Sequence, residues 1–225
     1  MKGPTSPAAK RALALYDPEP LGDRVHTHVR WWTAPFADLE LEVPLDGPIL
    51  EVGCGHGLLS CYLGLAGRAR AVVGTDIDVD KIEVARRAAS RLRPGEADVR
   101  FEAAADELPL TEGGWRGIVI ADVLYLLGDE GRRRLLDACV AASAPGGLLV
   151  VKEVDVVPRW KARIATVQEL AATRLLRITE GDEVDFATPA DIAAHLEALG
   201  CSTVVKRLDH GYPHPHCVIL ATVPA

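Results

Sequence analysis

Several things are scarce in this 225-residue chain, and each scarcity narrows its function. Basic residues are the minority: 25 Lys and Arg stand against 32 Asp and Glu, for a net charge of −7 with histidine neutral. A protein built to grip phosphate backbones usually carries the opposite balance, so nucleic acid is not the expected partner. Cysteine pairs are missing. Cys54, Cys61, Cys139, Cys201 and Cys217 are odd in number and form no Cys-x-x-Cys, so neither a disulfide framework nor a zinc ribbon is suggested. Long apolar runs are missing too. The best one, Gly117 to Leu127, is interrupted by Asp122, well short of the roughly 18 residues that a membrane span needs. Met1-Lys2-Gly3-Pro4 opens no secretory leader. A cytoplasmic location is therefore expected. Aromatic residues make up only 5%, whereas the apolar set reaches 48% and charged residues 25%. That composition fits one globular domain rather than a disordered chain.

What is present is a regular alternation. Ile49–Val52, Ala71–Asp76, Val99–Ala103, Gly117–Ala121 and Leu148–Val154 read as short buried strands, with helical stretches at Leu58–Leu65, Val79–Leu92 and Glu130–Ser143. Strands alternating with helices at this spacing imply βαβ units, a parallel sheet and helices on both of its faces. Ser6 and Pro7 open a helix that continues through Ala8–Tyr16. Residues 21–42 are less periodic and hold His26, His28, Arg30, Trp31, Trp32 and Phe36. Arg159–Ile178 reads as a basic amphipathic helix, and Thr188-Pro189 caps another that stops at Gly200. Thr203–Leu208 and Cys217–Val223 follow with no helix between them, so the sheet should end in an antiparallel strand. The expected fold is α/β: a doubly wound, seven-stranded, mostly parallel sheet with an antiparallel terminal strand. Residues 1–225 form a single domain: a helical lid over 1–46, a core over 47–155, a helical segment over 156–200 and a strand pair over 201–225.

The strongest local signal is Glu51-Val52-Gly53-Cys54-Gly55-His56-Gly57, a buried strand running through glycines into a helix. Glycines permit a sharp turn and close approach of a ligand, and the helix start beyond them offers free N–H groups. A dinucleotide fingerprint needs its third glycine at position 58, where this chain has Leu58. The acid Glu51 suits a ligand bearing an ammonium group better than one bearing a pyrophosphate.

This segment resembles the first motif of class I S-adenosylmethionine-dependent methyltransferases, and further motifs follow in order. Val73-Gly74-Thr75-Asp76-Ile77-Asp78 resembles the second, Ala105-Asp106-Glu107-Leu108-Pro109-Leu110 the adenine-side loop, and Ile120-Ala121-Asp122-Val123-Leu124 the fourth. Pro145-Gly146-Gly147 resembles the turn into the fifth strand. The resemblance covers residues 47–155 and implies S-adenosyl-L-methionine as cofactor. By it, Gly53, Cys54, Gly55 and Gly57 admit the methionine part, Glu51 orients the loop and favours the amino group, and Asp76 accepts the ribose hydroxyls with Ile77 beside it. Ala105 and Asp106 meet the adenine, with Ala104 standing where relatives carry an acid. Asp122 borders methionine and acceptor.

Methyl transfer also needs an aligned nucleophile and often a base. His28, Tyr125 and His210 are the candidates chosen here. Other titratable groups with the same chemistry are His26, Lys152, Glu153, Asp155, Tyr212, His214 and His216. Pro213 and Pro215 separate the last histidines, and no metal centre is expected. The basic amphipathic stretch 159–178 and the Trp31-Trp32 pair suggest a small apolar or amphipathic acceptor, a lipid or secondary metabolite, methylated at oxygen or nitrogen, and allow peripheral membrane contact. A cofactor-binding subunit without catalysis is the competing reading. The oligomeric state is not legible.

Overall fold

A computed structural model describes residues 3–67, 69–104, 107–154, 187–208, 210–212 and 215–225. The expected helix at 159–178, and with it Ala105, Asp106, Asp155 and His214, lies outside these residues. Three helices lead the chain: α1 (Pro7–Ala14), α2 (Leu21–Thr33) and α3 (Phe36–Glu40). The alternating body follows as β1 (Asp46–Val52), α4 (Leu58–Ala66), β2 (Ala69–Asp76), α5 (Val79–Ala89), β3 (Asp98–Ala103), β4 (Trp115–Ala121), a 3₁₀ turn (Leu124–Leu126), α6 (Asp129–Ala142) and β5 (Ser143–Val154). Helix α7 (Pro189–Ala198) precedes β6 (Ser202–Arg207) and β7 (His216–Thr222).

The strands make one sheet in the order β3-β2-β1-β4-β5-β7-β6. Neighbours pair in parallel except β7, which runs antiparallel to both β5 and β6. The last strand of the chain is thus the antiparallel one, inserted second from the edge, with β6 outside it. Alternation along each strand builds two cores. Ile49, Val72, Val119 and Val150 face α1, α4 and α5. Leu50, Ile118, Ile120, Leu149 and Val151 face α6 and α7. Local signals agree with this packing: Ser6 Oγ accepts from the Ala9 N–H at 3.1 Å, and Thr188 and Asp191 form a reciprocal capping box.

Helix α2 departs from the sequence pattern. Its buried face holds Thr27 and Trp31, while Leu21, Val25, Val29 and Trp32 lie exposed along the outer side. An apolar stripe facing outward and polar groups facing inward hide the usual core-facing periodicity. Pro20 supplies no side-chain cap either. Inward, Trp31 packs edge-on against Phe36 and Tyr62 in the core, while Arg30 turns to the site.

Order in the sheet fixes where a ligand fits. From β1 the chain winds outward through β2 and β3, then returns to β4 and winds the other way. The loops after β1 and β4 therefore diverge, and open α/β sheets bind ligands in that crevice. Ile118, fully buried in central β4, underlies it. Ile118→Ala is expected to cost about 2–5 kcal/mol, read as a lower urea midpoint with unchanged slope. Leu41→Ala, at 76% exposure, should stay within about 0.5 kcal/mol.

Candidate active site

The glycine loop is laced to the neighbouring strand. The Gly53 and Cys54 N–H groups both donate to the Thr75 carbonyl at 2.8 Å, and Thr75 Oγ1 donates to the Glu51 carbonyl at 3.3 Å. Gly53 has φ +73°, and a Cβ there would stand 2.4 Å from Val123 Cγ2. A Cβ on Gly57, at φ +77°, would strike the Phe101 ring at 2.4 Å. At Gly55 nothing lies within 4 Å of an added Cβ, so the loop's middle faces open space. Its N–H donates to Asp76 Oδ2 at 2.7 Å, while Asp76 Oδ1 accepts from the Asp78 N–H at 2.9 Å. The strand-end acid thus clasps the loop, and each oxygen keeps capacity for a further donor.

Glu51 lies underneath, buried, and accepts a short hydrogen bond from Ser60 Oγ of α4. Burial pushes its carboxyl up to about 7 despite Ser60. This anchors the loop to the helix that follows it. The Cys54 thiol is buried and raised far above its ordinary value, which excludes a thiolate there. Ile77, by contrast, is 78% exposed beside Asp76.

Across the crevice stands Asp122, the only non-glycine residue with positive φ among those described, at 61°. Lys152 Nζ bonds its Oδ1, and Arg30 Nη2 of α2 reaches its Oδ2 at 3.1 Å. Burial alone would raise this carboxyl, but the two cations hold it far below the carboxylate range. The turn that places it is tied by Glu153, whose Oε1 accepts from the Leu124 N–H at 3.0 Å. Burial and the Asp122 charge push Glu153 up to about 8, against Lys152 and that hydrogen bond.

Helix α2 covers this end of the sheet. His216 Nε2, at the start of β7, donates to the Thr33 carbonyl at 2.7 Å. At the other end, the His26 and His56 rings stack at 4.5 Å, and Asp23 Oδ1 lies 3.4 Å from His56 Nε2. Burial lowers both histidines, His26 to about 4 with help from His56 and Arg30. Tyr16 Oη donates to the His56 carbonyl at 2.6 Å, so α1 also holds the glycine loop. On the far side, an open cleft of about 420 Å³ runs past β2 and β3, lined by Thr75, Glu102, Ala103, Ala104, Glu107, Leu108 and Pro109.

Of the expected site residues, Glu51, Gly53, Cys54, Gly55, Gly57, Asp76, Ile77 and Asp122 gather around this crevice and cleft. Tyr125 follows Asp122 on the 3₁₀ turn, within the electrostatic surroundings of Arg30. His28 is half-buried and spends Nδ1 on the Arg24 carbonyl at 2.8 Å. His210 is exposed in the turn before β7. Lys152 and Glu153 are buried and engaged rather than on an open rim. Burial also claims His216 and Tyr212. Sequence reasoning placed Arg30 in the helical lid over 1–46 but gave it no role, because nothing in residues 21–42 shows which helix face would bring that side chain to Asp122. It missed Tyr16 for the same reason of long-range packing.

Residues 49–147 match the family model described as a methyltransferase domain. The magnesium protoporphyrin IX methyltransferase of Synechocystis PCC 6803, solved with bound S-adenosylhomocysteine, is 19% identical, with 95% of this chain and 93% of that one covered and a TM-score of 0.64. An S-adenosylmethionine-dependent methyltransferase of Methanosarcina mazei is 21% identical, covering 83% and 97%, at 0.61. The [4+2]-cyclase SpnF is 15% identical, covering 84% and 80%, at 0.62. No curated protein matches the sequence. The matched stretch covers less than half of the chain, and the seven-stranded sheet has the fold of class I S-adenosylmethionine-dependent methyltransferases. Among the described residues no helix is long and apolar enough to cross a membrane.

The raised Glu153 has a consequence for stability. A carboxyl whose folded pKa exceeds its unfolded one contributes stability below the ordinary value, 4.5, and loses it as pH climbs towards about 8. Glu153→Gln is expected to flatten the decline of Tm between pH 5 and 8. Superimposable Tm profiles for the two proteins would contradict this.

Proposed function

We propose that the chain transfers the methyl group of S-adenosylmethionine to an oxygen or nitrogen of a small apolar or amphipathic acceptor, such as a lipid or secondary metabolite. The observation that carries the cofactor half is Asp76, at the end of β2, whose Oδ2 accepts from the Gly55 N–H of the open glycine loop while Oδ1 accepts from the Asp78 N–H. In this reading its carboxylate takes the ribose hydroxyls, Gly53–Gly57 admits the methionine half, and the cleft beside Glu107 and Leu108 receives the adenine. Ala105 and Asp106, which lie outside the described residues, are the further adenine contacts that the motif resemblance implies. Glu51 acts as the buried anchor of the loop.

Asp122 then borders the methyl group and the acceptor. Its ionised state suits a reaction whose cationic sulfonium must be held in line before it is discharged. Lys152, sealed beneath it, keeps it ionised and oriented. Tyr125, on the same turn, is the group we assign to receive or relay the acceptor proton, with His28 and His210 as further proton acceptors on rim segments. An apolar acceptor is supported by the rim itself. Ile77, Val79 and Leu126 are exposed in the segments that follow β2 and β4. These side chains favour an acceptor with apolar surface to cover them.

Binding without methyl transfer is the second reading, and the cyclase built on the same fold gives it weight. Incubation with methyl-labelled cofactor and small-molecule extracts separates the two. Label in an organic-soluble product supports transfer; label only in protein or RNA, or none, contradicts the acceptor class. Asp76→Ala is expected to lower S-adenosylhomocysteine affinity at least about 100-fold, since it removes a doubly hydrogen-bonded charged acceptor. Unchanged affinity by calorimetry would overturn the ribose assignment.

A further inference from the structure

Glu153 is a buried carboxyl without a cation of its own among the described residues. It is 6% exposed, and its Oε1 accepts the Leu124 N–H at 3.0 Å. The cations of this crevice go to Asp122 instead: Lys152 bonds Oδ1 and Arg30 reaches Oδ2 at 3.1 Å. Lys152 and Glu153 are neighbours in β5, so their side chains leave opposite faces of the sheet. Of the groups packed around them, His216 of β7 faces Asp122, and Tyr125 follows on the 3₁₀ turn. Cys217 of β7 donates its thiol to the Glu153 carbonyl at 3.5 Å. Arg132 of α6 reaches Asp129 at 3.3 Å, and Asp191 lies exposed at the cap of α7. A carboxyl so enclosed is held neutral by burial, and its pKa stands at about 8.

The charge balance gives that proton a role. With Glu153 neutral, Asp122 faces two cations, and the cluster carries one positive charge in excess. A sulfonium is itself a cation, and like charges repel strongly where water is excluded. Ionising Glu153 cancels the excess without moving any other group. A thioether makes no such demand.

We propose that Glu153 distinguishes the sulfonium cofactor from its thioether product by giving up its proton when the cationic ligand enters. This deepens the proposed function and rests on its placement of the methyl group beside Asp122. Glu153 acts through the charge of the Asp122 cluster, not by touching the ligand, and on binding its proton leaves to solvent. Methyl transfer then leaves the electron pair of the broken S–C bond on sulfur. The new bond forms to the acceptor's oxygen or nitrogen, and the acceptor sheds one proton as Glu153 takes one up.

Calorimetry of S-adenosylmethionine and S-adenosylhomocysteine between about pH 6 and 8.5 tests this. Both ligands carry the same nucleoside and amino-acid ends, so titration there cancels in the ratio of their affinities. On the unmodified protein the preference for the sulfonium is expected to rise about 10-fold with pH across this range. Glu153→Gln keeps the neutral shape and an acceptor oxygen, so its ratio should stay flat at the low-pH value, with Tm recorded alongside. Near neutral pH, titrations in phosphate and in Tris, whose heats of ionisation differ, should show more proton release with the sulfonium than with the thioether. That measurement uses the unmodified protein and stands even if the variant does not fold. A ratio that ignores pH on the unmodified protein would overturn the proposal. So would an equal slope in Glu153→Gln, which would assign the proton to Glu51, the other buried carboxyl of the site. If the unmodified protein binds neither ligand at any pH, the cofactor reading itself falls and this proposal with it.

Discussion

One buried carboxylate organises this end of the molecule. Asp122 sits in a left-handed backbone conformation that an aspartate adopts only at a cost of about 1–3 kcal/mol. It is held there because β5 supplies Lys152 from one side and the lid helix supplies Arg30 from the other. Remove the charge and two things come apart, the turn after β4 and the neutralisation of a fully buried lysine, while α2 loses one tie and keeps those of His216 to Thr33 and His26 to His56. The attraction at such short range, even at an effective dielectric near 20, is worth about 4 kcal/mol before desolvation is subtracted. The net gain is smaller, so the arrangement is better understood as a device for position than as a source of stability.

Position is what the proposed methyl transfer demands. The cofactor carries its own reactive bond, so the protein's task is to align three atoms and to exclude alternatives. The rigid parts lie where alignment matters. The glycine loop is fixed through Thr75 and Asp76 to β2, through Ser60 to α4 and through Tyr16 to α1. The open parts lie where ligands enter, above Gly55 and along the cleft beyond β3. Buried, raised carboxyls at Glu51 and Glu153 and a depressed one at Asp122 surround a single crevice, as is common where a fold carries chemistry.

Legibility in the sequence followed the physics of each segment. Buried parallel strands read as short apolar runs, and every strand of the core was recognisable because nothing else makes Ile49–Val52 or Gly117–Ala121 apolar between turn residues. The glycine loop was recognisable because its backbone conformations exclude other residues, as Val123 and Phe101 demonstrate at Gly53 and Gly57. Asp76 and Asp122 stood out through their place after strands. What stayed hidden were contacts between distant segments. Arg30 meets Asp122 across 92 residues and His216 meets Thr33 across 183. The lid over 1–46 was legible as helical, but not which face of α2 turns inward: Trp31 enters the core and Arg30 reaches Asp122, while an apolar stripe stays outside. Lys152 and Glu153 looked like rim groups because strand ends are usually open, whereas here α2 and the turn after β4 close over them.

The account turns on one claim: the crevice between the β1 and β4 loops holds S-adenosylmethionine with its ribose on Asp76 and its methyl group towards Asp122. A crystal structure of the complex with S-adenosylhomocysteine measures this most directly. The predicted result has both ribose hydroxyls on Asp76, the purine beside Leu108 and the sulfur between Gly53 and Asp122. A ligand bound elsewhere, or one whose nucleoside and amino-acid ends are exchanged, would contradict it.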